Sequence, residues 1–463
     1  MATSSKREIF VLLPDGVGLR NFIYTDFLSL GDAKVWTPLD YLSEELDTVK
    51  LPPYTANKMT DIYKSALVKA SILSFHKRYR NDAYLSYIFP SSAKKIKNKI
   101  KAFLIDWMAG FYANDDGLKK LRNKYLHSIR NSFYFEACIN QLKVKNPSFV
   151  FCTNQRMINA AAPMLAAQEL GIPTGTFIFS WDNMPKGNLS VPADHLFVWS
   201  DYMKDEVKKY YPYIQEENVH VVGTPQFIPY TDKTLYESKK TFCDRYDLDV
   251  NARLICFSGD DVATSPYDPL YLEDTAKAVL QLNRRGKEKF QIVFRRCPVD
   301  VSGRYNDVID KYSDIIKSVE PLWKKPEDSS AWNAIIPTQE DVKLLVNTVL
   351  HCDTAINLGS TIAHDFACLD KTSCYFNYNP VQNSKWDINK IYKYIHFQSM
   401  KGLDPIYWVN NKMDIAETLF AAIEDNEKKL PDAKKWLEII VLHPLKDTNR
   451  HIWNKIEDIV GGK

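Results

Sequence analysis

The chain has 463 residues, 45% of them hydrophobic and 25% charged, with only 16 Gly and 23 Pro, proportions that exclude wholesale disorder, collagen-like repeats and linker-dominated architectures. Lys and Arg number 60 against 57 Asp and Glu, a formal charge of +3, too balanced for nucleic acid to be the expected partner. No stretch approaches the roughly 20 apolar residues of a spanning helix, the first residues lack a signal-peptide apolar region, and the eight cysteines show no CxxC spacing, so a reduced, cytoplasmic protein is expected.

Ile9–Leu13 reads as an apolar strand that breaks at Pro14-Asp15-Gly16-Val17-Gly18, the way Rossmann-like units begin. Strand candidates follow at Lys34–Trp36 and Thr48–Leu51, and residues about 56–146 carry helical periodicity. From Pro147 the texture becomes βαβ. Strands are expected at Ser148–Cys152, Thr174–Phe179, His195–Trp199 and Val219–Val222, with a helix over Asn159–Leu170 stopped by Gly171 and Pro173. A polar stretch, Tyr230–Asp249, precedes a second run of the same kind. Its expected strands are Leu254–Ser258, Gln291–Phe294, Ala334–Ile336, Thr354–Asn357 and Cys374–Asn377, with helices over about 269–285 and 339–350. The last 30 residues, with Trp436, Leu437, Ile439, Ile440, Ile452 and Ile456, are amphipathic helices. The pattern predicts an α/β protein with two separate parallel sheets. Its domains are 1–232, with a helical insertion, and 245–430, and the helices of 431–463 are expected to cross back to the first.

Polar loops follow several of these strands. Asn357-Leu358-Gly359-Ser360-Thr361-Ile362-Ala363-His364-Asp365 leaves a strand and opens a helix, so Gly359, Ser360 and Thr361 are expected at a helix N-terminus, where N–H groups and the dipole favour a phosphate. Asp365, one turn later, could meet a ribose hydroxyl pair. Ser and Thr are equally ordinary N-caps. Arg295 and Arg296 end a strand and suit bidentate phosphate contact, or surface pairing with Asp300. Asp182 and Asn183 follow a strand of the first half, as Asp15 does. Either carboxylate could deprotonate an acceptor hydroxyl, and either could be a cap or turn former. Lys186 could screen substrate charge or be an ordinary exposed lysine. Asp247-Leu248-Asp249 matches the DxD of metal-dependent enzymes but lies before a strand and reads as a solvated turn. The histidines show no HExxH or paired spacing, and no metal site is expected.

Two segments carry a family resemblance. DTAINLGSTIAHDFACLDKTSCYFNY, residues 353–378, resembles the donor-site strand–loop–helix of GT-B glycosyltransferases. FIFSWDNMPKG…ADHLFVWSDYMKDEV…VHVVGTPQF, residues 177–227, resembles the amino-terminal half of bacterial surface-polysaccharide glycosyltransferases and their glycerophosphotransferase relatives. Ser258-Gly259-Asp260-Asp261 resembles that family's other donor-facing glycine loop, while Cys297 stands where the family often has His. The resemblance implies two Rossmann-like domains facing a central cleft. It assigns a nucleotide sugar to Gly259, Asp260, Arg295, Arg296, Gly359, Ser360, Thr361 and Asp365. The acceptor side takes Gly16, Gly18, Asn183 and Lys186, with Asp182 or Asp15 as the catalytic base. The implied activity is metal-independent and cofactor-free transfer of a sugar to a glycan or lipid-linked acceptor in surface polysaccharide synthesis. A nucleotide-sugar 2-epimerase, a CDP-glycerol-type glycerophosphotransferase and a catalytically silent glycan- or partner-binding protein are the alternatives.

Lys94, Lys95, Lys97, Lys99 and Lys101 precede Phe103, Leu104, Ile105, Trp107, Met108 and Phe111. Basic residues beside bulky apolar ones suit peripheral contact with the anionic inner face of a membrane. Lysines on the outer face of a core helix would produce the same string.

Overall fold

The computed structural model describes residues 8–88, 95–324 and 336–462; Lys94, Ala334 and Ile335 lie outside these. Seven parallel strands form one sheet: β1 (Ile9–Leu12), β2 (Ala33–Thr37), β3 (Thr48–Lys50), β4 (Phe149–Cys152), β5 (Thr174–Phe177), β6 (His195–Val198) and β7 (Val219–Val221), in the order β3-β2-β1-β4-β5-β6-β7. Six more form a second parallel sheet: β8 (Arg253–Ser258), β9 (Phe290–Arg295), β10 (Ile316–Ser318), β11 (Thr354–Asn357), β12 (Ser373–Phe376) and β13 (Ile406–Val409), in the order β10-β9-β8-β11-β12-β13. The central strands are short apolar runs buried on both faces, as a sheet covered by helices on each side requires. The two separate α/β sheets agree with the sequence expectation.

Three details differ. β10 and β13 were not anticipated. Around 334–336, Ile336 makes only an isolated antiparallel bridge with Lys324. Gly16–Gly18 is a tight 3-10 turn rather than an open glycine loop.

Helices α1 (Lys58–Tyr79), α2 (Ile96–Tyr112), α3 (Asp115–Arg130) and α4 (Phe133–Lys145) fill the predicted helical region. Then follow α5 (Ile158–Glu169), α6 (Asp201–Tyr210), α7 (Lys239–Arg245), α8 (Asp268–Arg284), α9 (Asn306–Lys311), α10 (Gln339–His351), α11 (Ile362–Ala367), α12 (Ile415–Glu424), α13 (Asn426–Ile440) and α14 (Thr448–Gly461). Among the described residues, no helix is long and apolar enough to cross a membrane. All eight cysteines are free thiols.

The chain forms two compact units. The first holds everything up to Pro225, the short segment Tyr394–His396 and the chain from Ile440 onward; the second holds Gln226–Lys393 and Phe397–Ile439. Helix α14 packs within the first unit. Its Trp453 indole donates to the Phe27 carbonyl at 2.6 Å and lies 5.5 Å from the Phe27 ring, and Asn449 Nδ2 donates to Asp26 at 2.6 Å. Most of α13 belongs instead to the second unit, where Trp436 lies against His364 and donates to Ser399 Oγ at 2.8 Å. The chain rejoins the first unit at Ile440, where the sequence reading placed the return at 431.

Candidate functional site

In each sheet the chain runs outward to one side and then restarts on the other side of its first strand. This topological switch lies between β1 and β4 in the first unit and between β8 and β11 in the second. Ligands of open parallel sheets bind outside the carboxyl ends of the strands at such points. The segments after β1, β4, β8 and β11 are therefore the places to look for chemistry.

In the first unit the β1 segment supplies Asp15. Its carboxylate caps the 3-10 turn by accepting from the Val17 amide at 3.2 Å, and it accepts from Asn154 Nδ2, just past β4, at 3.0 Å. The parallel register of β1 and β4 brings these two loops side by side. Gln155 continues the network, donating to Asn183 Oδ1 at 2.7 Å and accepting from the Phe179 amide at 3.2 Å. Asp182, after β5, accepts from Ser180 Oγ at 2.8 Å and Asn183 Nδ2 at 2.7 Å, and pairs with Lys186. His396 joins the same unit, its ring 4.6 Å from that of Trp181.

The two carboxyls have opposite electrostatics. Burial raises Asp15 to about 6, with Val17, Asn154 and Arg156 opposing. Burial also pushes Asp182 up, but Lys186, His396 and Ser180 outweigh it and hold the group well below the ordinary carboxylate range. Burial lowers His396 to about 3 despite Asp182, so its imidazole is neutral at physiological pH. Lys64 of α1, lowered to about 8 by burial and by Arg156, adds a second cation beside Arg156. Environments that drive neighbouring titratable groups apart are how one site obtains both an acid–base group and a fixed charge.

Gly16 and Gly18 are buried, and a β-carbon on Gly18 would come within 2.5 Å of Leu13 Cδ1 and 2.7 Å of Thr153 Oγ1. Gly18 thus serves close packing. Sequence reasoning missed Asn154, Gln155, Arg156 and His396. The first three had a readable signal, three polar residues at the end of an apolar strand. His396 had none, since it reaches the site from a segment more than 200 residues downstream of Asp182.

In the second unit the two predicted glycine loops do flank the switch point, but several expected roles change. Gly359 has φ +66°, and a β-carbon there would meet Phe397 at 3.0 Å and Tyr392 at 3.3 Å, so substitution is strained whatever binds nearby. The Ser360 amide donates to Asn357 Oδ1 at 2.8 Å, and the Ile362 amide lies 3.5 Å from Ser360 Oγ. Helix α11 has only six residues. The Ser360 amide is committed to the turn, while the Ser360 and Thr361 side chains stay partly exposed. Asp365 is buried, 4% exposed, and adds to the rise that burial gives the Tyr375 phenol. Lys371, from the same motif, donates to the carbonyls of Val349, Leu350 and Cys352 and closes the end of α10.

Both arginines pair with carboxylates. Arg295, 6% exposed, pairs through Nη2 with both oxygens of Asp341 at 2.8 and 2.9 Å, and Arg296 pairs with Glu320 at 2.6 Å. Asp300, the alternative partner considered for them, instead binds Arg304 at 2.6 Å. Arg304 also donates to the carbonyls of Asp260 at 2.6 Å and Ser265 at 2.5 Å, clasping the loop that holds Gly259. Burial, with Asp268 and Asp261 alongside, pushes the Asp260 carboxyl well above its ordinary value. Asp247 and Asp249 pair with Lys317 and Lys289 as a surface turn, and no metal-holding cluster occurs among the described residues.

No family model matches the chain, and no curated protein matches it in sequence. Solved structures do resemble it in fold. A glycosyltransferase from Rickettsia africae is 11% identical, with 99% of this chain and 100% of that one covered and a TM-score of 0.51. A protein from Listeria monocytogenes proposed to be a UDP-N-acetylglucosamine 2-epimerase is 9% identical over 99% and 98%, with a TM-score of 0.54. The Staphylococcus aureus MnaA–UDP co-structure is 13% identical over 98% and 97%, with a TM-score of 0.50. The likeness, spanning the whole chain, shows a GT-B-like fold.

Proposed function

We propose that the protein is a glycosyltransferase that moves a sugar from a nucleotide sugar to a hydroxyl of a glycan or lipid-linked acceptor. The observation that carries this reading is the network at the β1–β4 switch point, in which Asp15 is buried against Asn154 and raised to about 6 while Lys186 helps hold Asp182 ionised. Asp15 takes the proton of the acceptor hydroxyl as that oxygen attacks the anomeric carbon. The bond from that carbon to the diphosphate breaks, and the nucleoside diphosphate leaves with the electron pair. The donor occupies the loops at Gly259 and Gly359. Arg295 is committed to Asp341, and phosphate is assigned to the Ser360 hydroxyl and to Arg296, whose partner Glu320 is 49% exposed. No metal or cofactor is assigned a role in this reading.

The likeness in fold to the Staphylococcus aureus protein bound to UDP and to the Listeria monocytogenes protein supports a substrate of the nucleotide-sugar class. A second reading, nucleotide-sugar 2-epimerase, gains support from His396, which supplies the imidazole beside Asp182 that no sequence spacing suggested. Product analysis separates them: transfer releases a nucleoside diphosphate and consumes an acceptor, whereas epimerisation returns an intact nucleotide sugar.

Calorimetric titration with UDP, GDP and CDP tests the common premise. One nucleotide is expected to bind, and Ser360→Ala to weaken it about ten- to a hundredfold by removing one hydrogen bond to a charged group. The melting temperature should not change, because the Ser360 hydroxyl makes only a 3.5 Å contact. Equal affinity in wild type and variant would remove the donor from this loop.

A further inference from the structure

We propose that α2 is an interfacial helix that seats the protein on an anionic lipid bilayer, with one apolar stripe entering the headgroup layer. At about 100° per residue, Ile96, Ile100, Phe103, Trp107 and Phe111 fall within an arc about 80° wide. All five are between 58% and 76% exposed. The core explains a different arc of the same helix, on which Met108 and Ala109 are buried and Leu104, Ile105 and Tyr112 pack against the hydrophobic core of the first unit. A helix whose outer side is merely solvated carries polar residues there. This one carries three aromatic rings, with Trp107 and Phe111 stacked at 6.0 Å.

The charges select the occupant. Lys97 flanks the stripe on one side and Lys95 and Lys99 on the other, all exposed. Lys101 lies toward the core and pairs with Asp61, and the one acidic residue of the helix, Asp106, pairs with Lys69 at 2.6 Å. An apolar stripe rimmed by cations suits lipid phosphates around an acyl interior, and Trp and Phe are residues that settle at that depth. A second copy of the chain would instead bring two lysine rims together. A free phosphate would use the lysines and leave the stripe wet.

Sedimentation with vesicles of phosphatidylcholine containing phosphatidylglycerol, at low salt and without nucleotide, tests this separately from the sugar-transfer reading. The wild type is expected to sediment with these vesicles and much less with pure phosphatidylcholine. The triple variant Phe103→Ser/Trp107→Ser/Phe111→Ser, at exposed positions, should keep its melting temperature and lose at least about a hundredfold in partitioning. Lys97→Ala and Lys99→Ala should each cost about fivefold at low salt and little at high salt. The proposal is overturned if the wild type ignores anionic vesicles, if the triple variant sediments like the wild type, or if neutral vesicles bind equally well. A dimer abolished by the triple variant, with no vesicle binding, would assign the stripe to a second copy.

Discussion

Asp15→Asn is expected to reduce sugar transfer by about 10²–10⁴-fold, the usual contribution of a positioned general base, while nucleotide affinity changes little. The substitution is nearly isosteric, and its amide oxygen can still accept from Asn154 Nδ2, which now donates at 3.0 Å. What disappears is the proton acceptor. Because burial raises Asp15 to about 6, the wild-type rate should fall as pH drops through about 6, and the variant should lack that limb. Stability moves the other way. A carboxyl raised from 3.8 to about 6 in the folded state binds protons that the unfolded chain has released, so stability present below 3.8 is lost as pH rises to about 6, about 3 kcal/mol in all. Asn carries no such penalty, and the variant should melt no lower than the wild type at neutral pH. Rates and melting curves measured across pH check both halves. A variant that keeps full activity, with the acid limb lost only on Asp182→Asn, would transfer the base role to Asp182.

Glu206→Gln is expected to flatten the pH dependence of stability. Glu206 of α6 is 5% exposed, and neither carboxyl oxygen has a hydrogen-bond partner among the described residues. Around it stand Tyr84, Tyr202, Tyr210 and Tyr211, whose phenols are all raised by burial. Burial lifts the Glu206 carboxyl to about 8, with Lys209 opposing and Asp182 adding to the rise. The folded protein therefore holds a proton that the unfolded chain gives up above 4.5. Stability is complete below 4.5 and falls as pH rises toward 8, by up to about 5 kcal/mol. Gln keeps the volume and cannot ionise, so the variant should gain most over the wild type above pH 8 and nothing near pH 4. Urea midpoints at both ends of that range measure the difference. Wild-type and variant curves that run parallel across it would mean that Glu206 titrates normally.

The strand pattern was legible because each central strand is a short apolar run closed by a turn signal, and apolar runs alternating with helical periodicity admit few arrangements other than parallel sheets. β10 and β13 escaped because Ile316–Ser318 has three residues and Ile406-Tyr-Trp-Val follows Pro405 with no matching helix before it. Asp15 and Asp182 could be picked out as polar residues ending apolar strands. Nothing local said which would be raised and which held down, because Asn154 is 139 residues from Asp15 and His396 is further still from Asp182.

The sequence by itself determined the two α/β halves and the loops that end at each switch point, since hydrophobic period and turn chemistry are local properties. Only the tertiary structure decided which charges are free for chemistry. Arg295 and Asp341 lie 46 residues apart and look like two surface ions until burial pairs them. The Ser360 turn looks like an open helix end until Asn357 takes its amide. Helix α2 reads equally as a core helix or a membrane-facing one until packing uses one apolar arc and leaves the other bare. Ionisation, pairing and exposure depend on which remote groups fold within a few ångströms, and an amphipathic period gives a face its chemistry without naming what covers it.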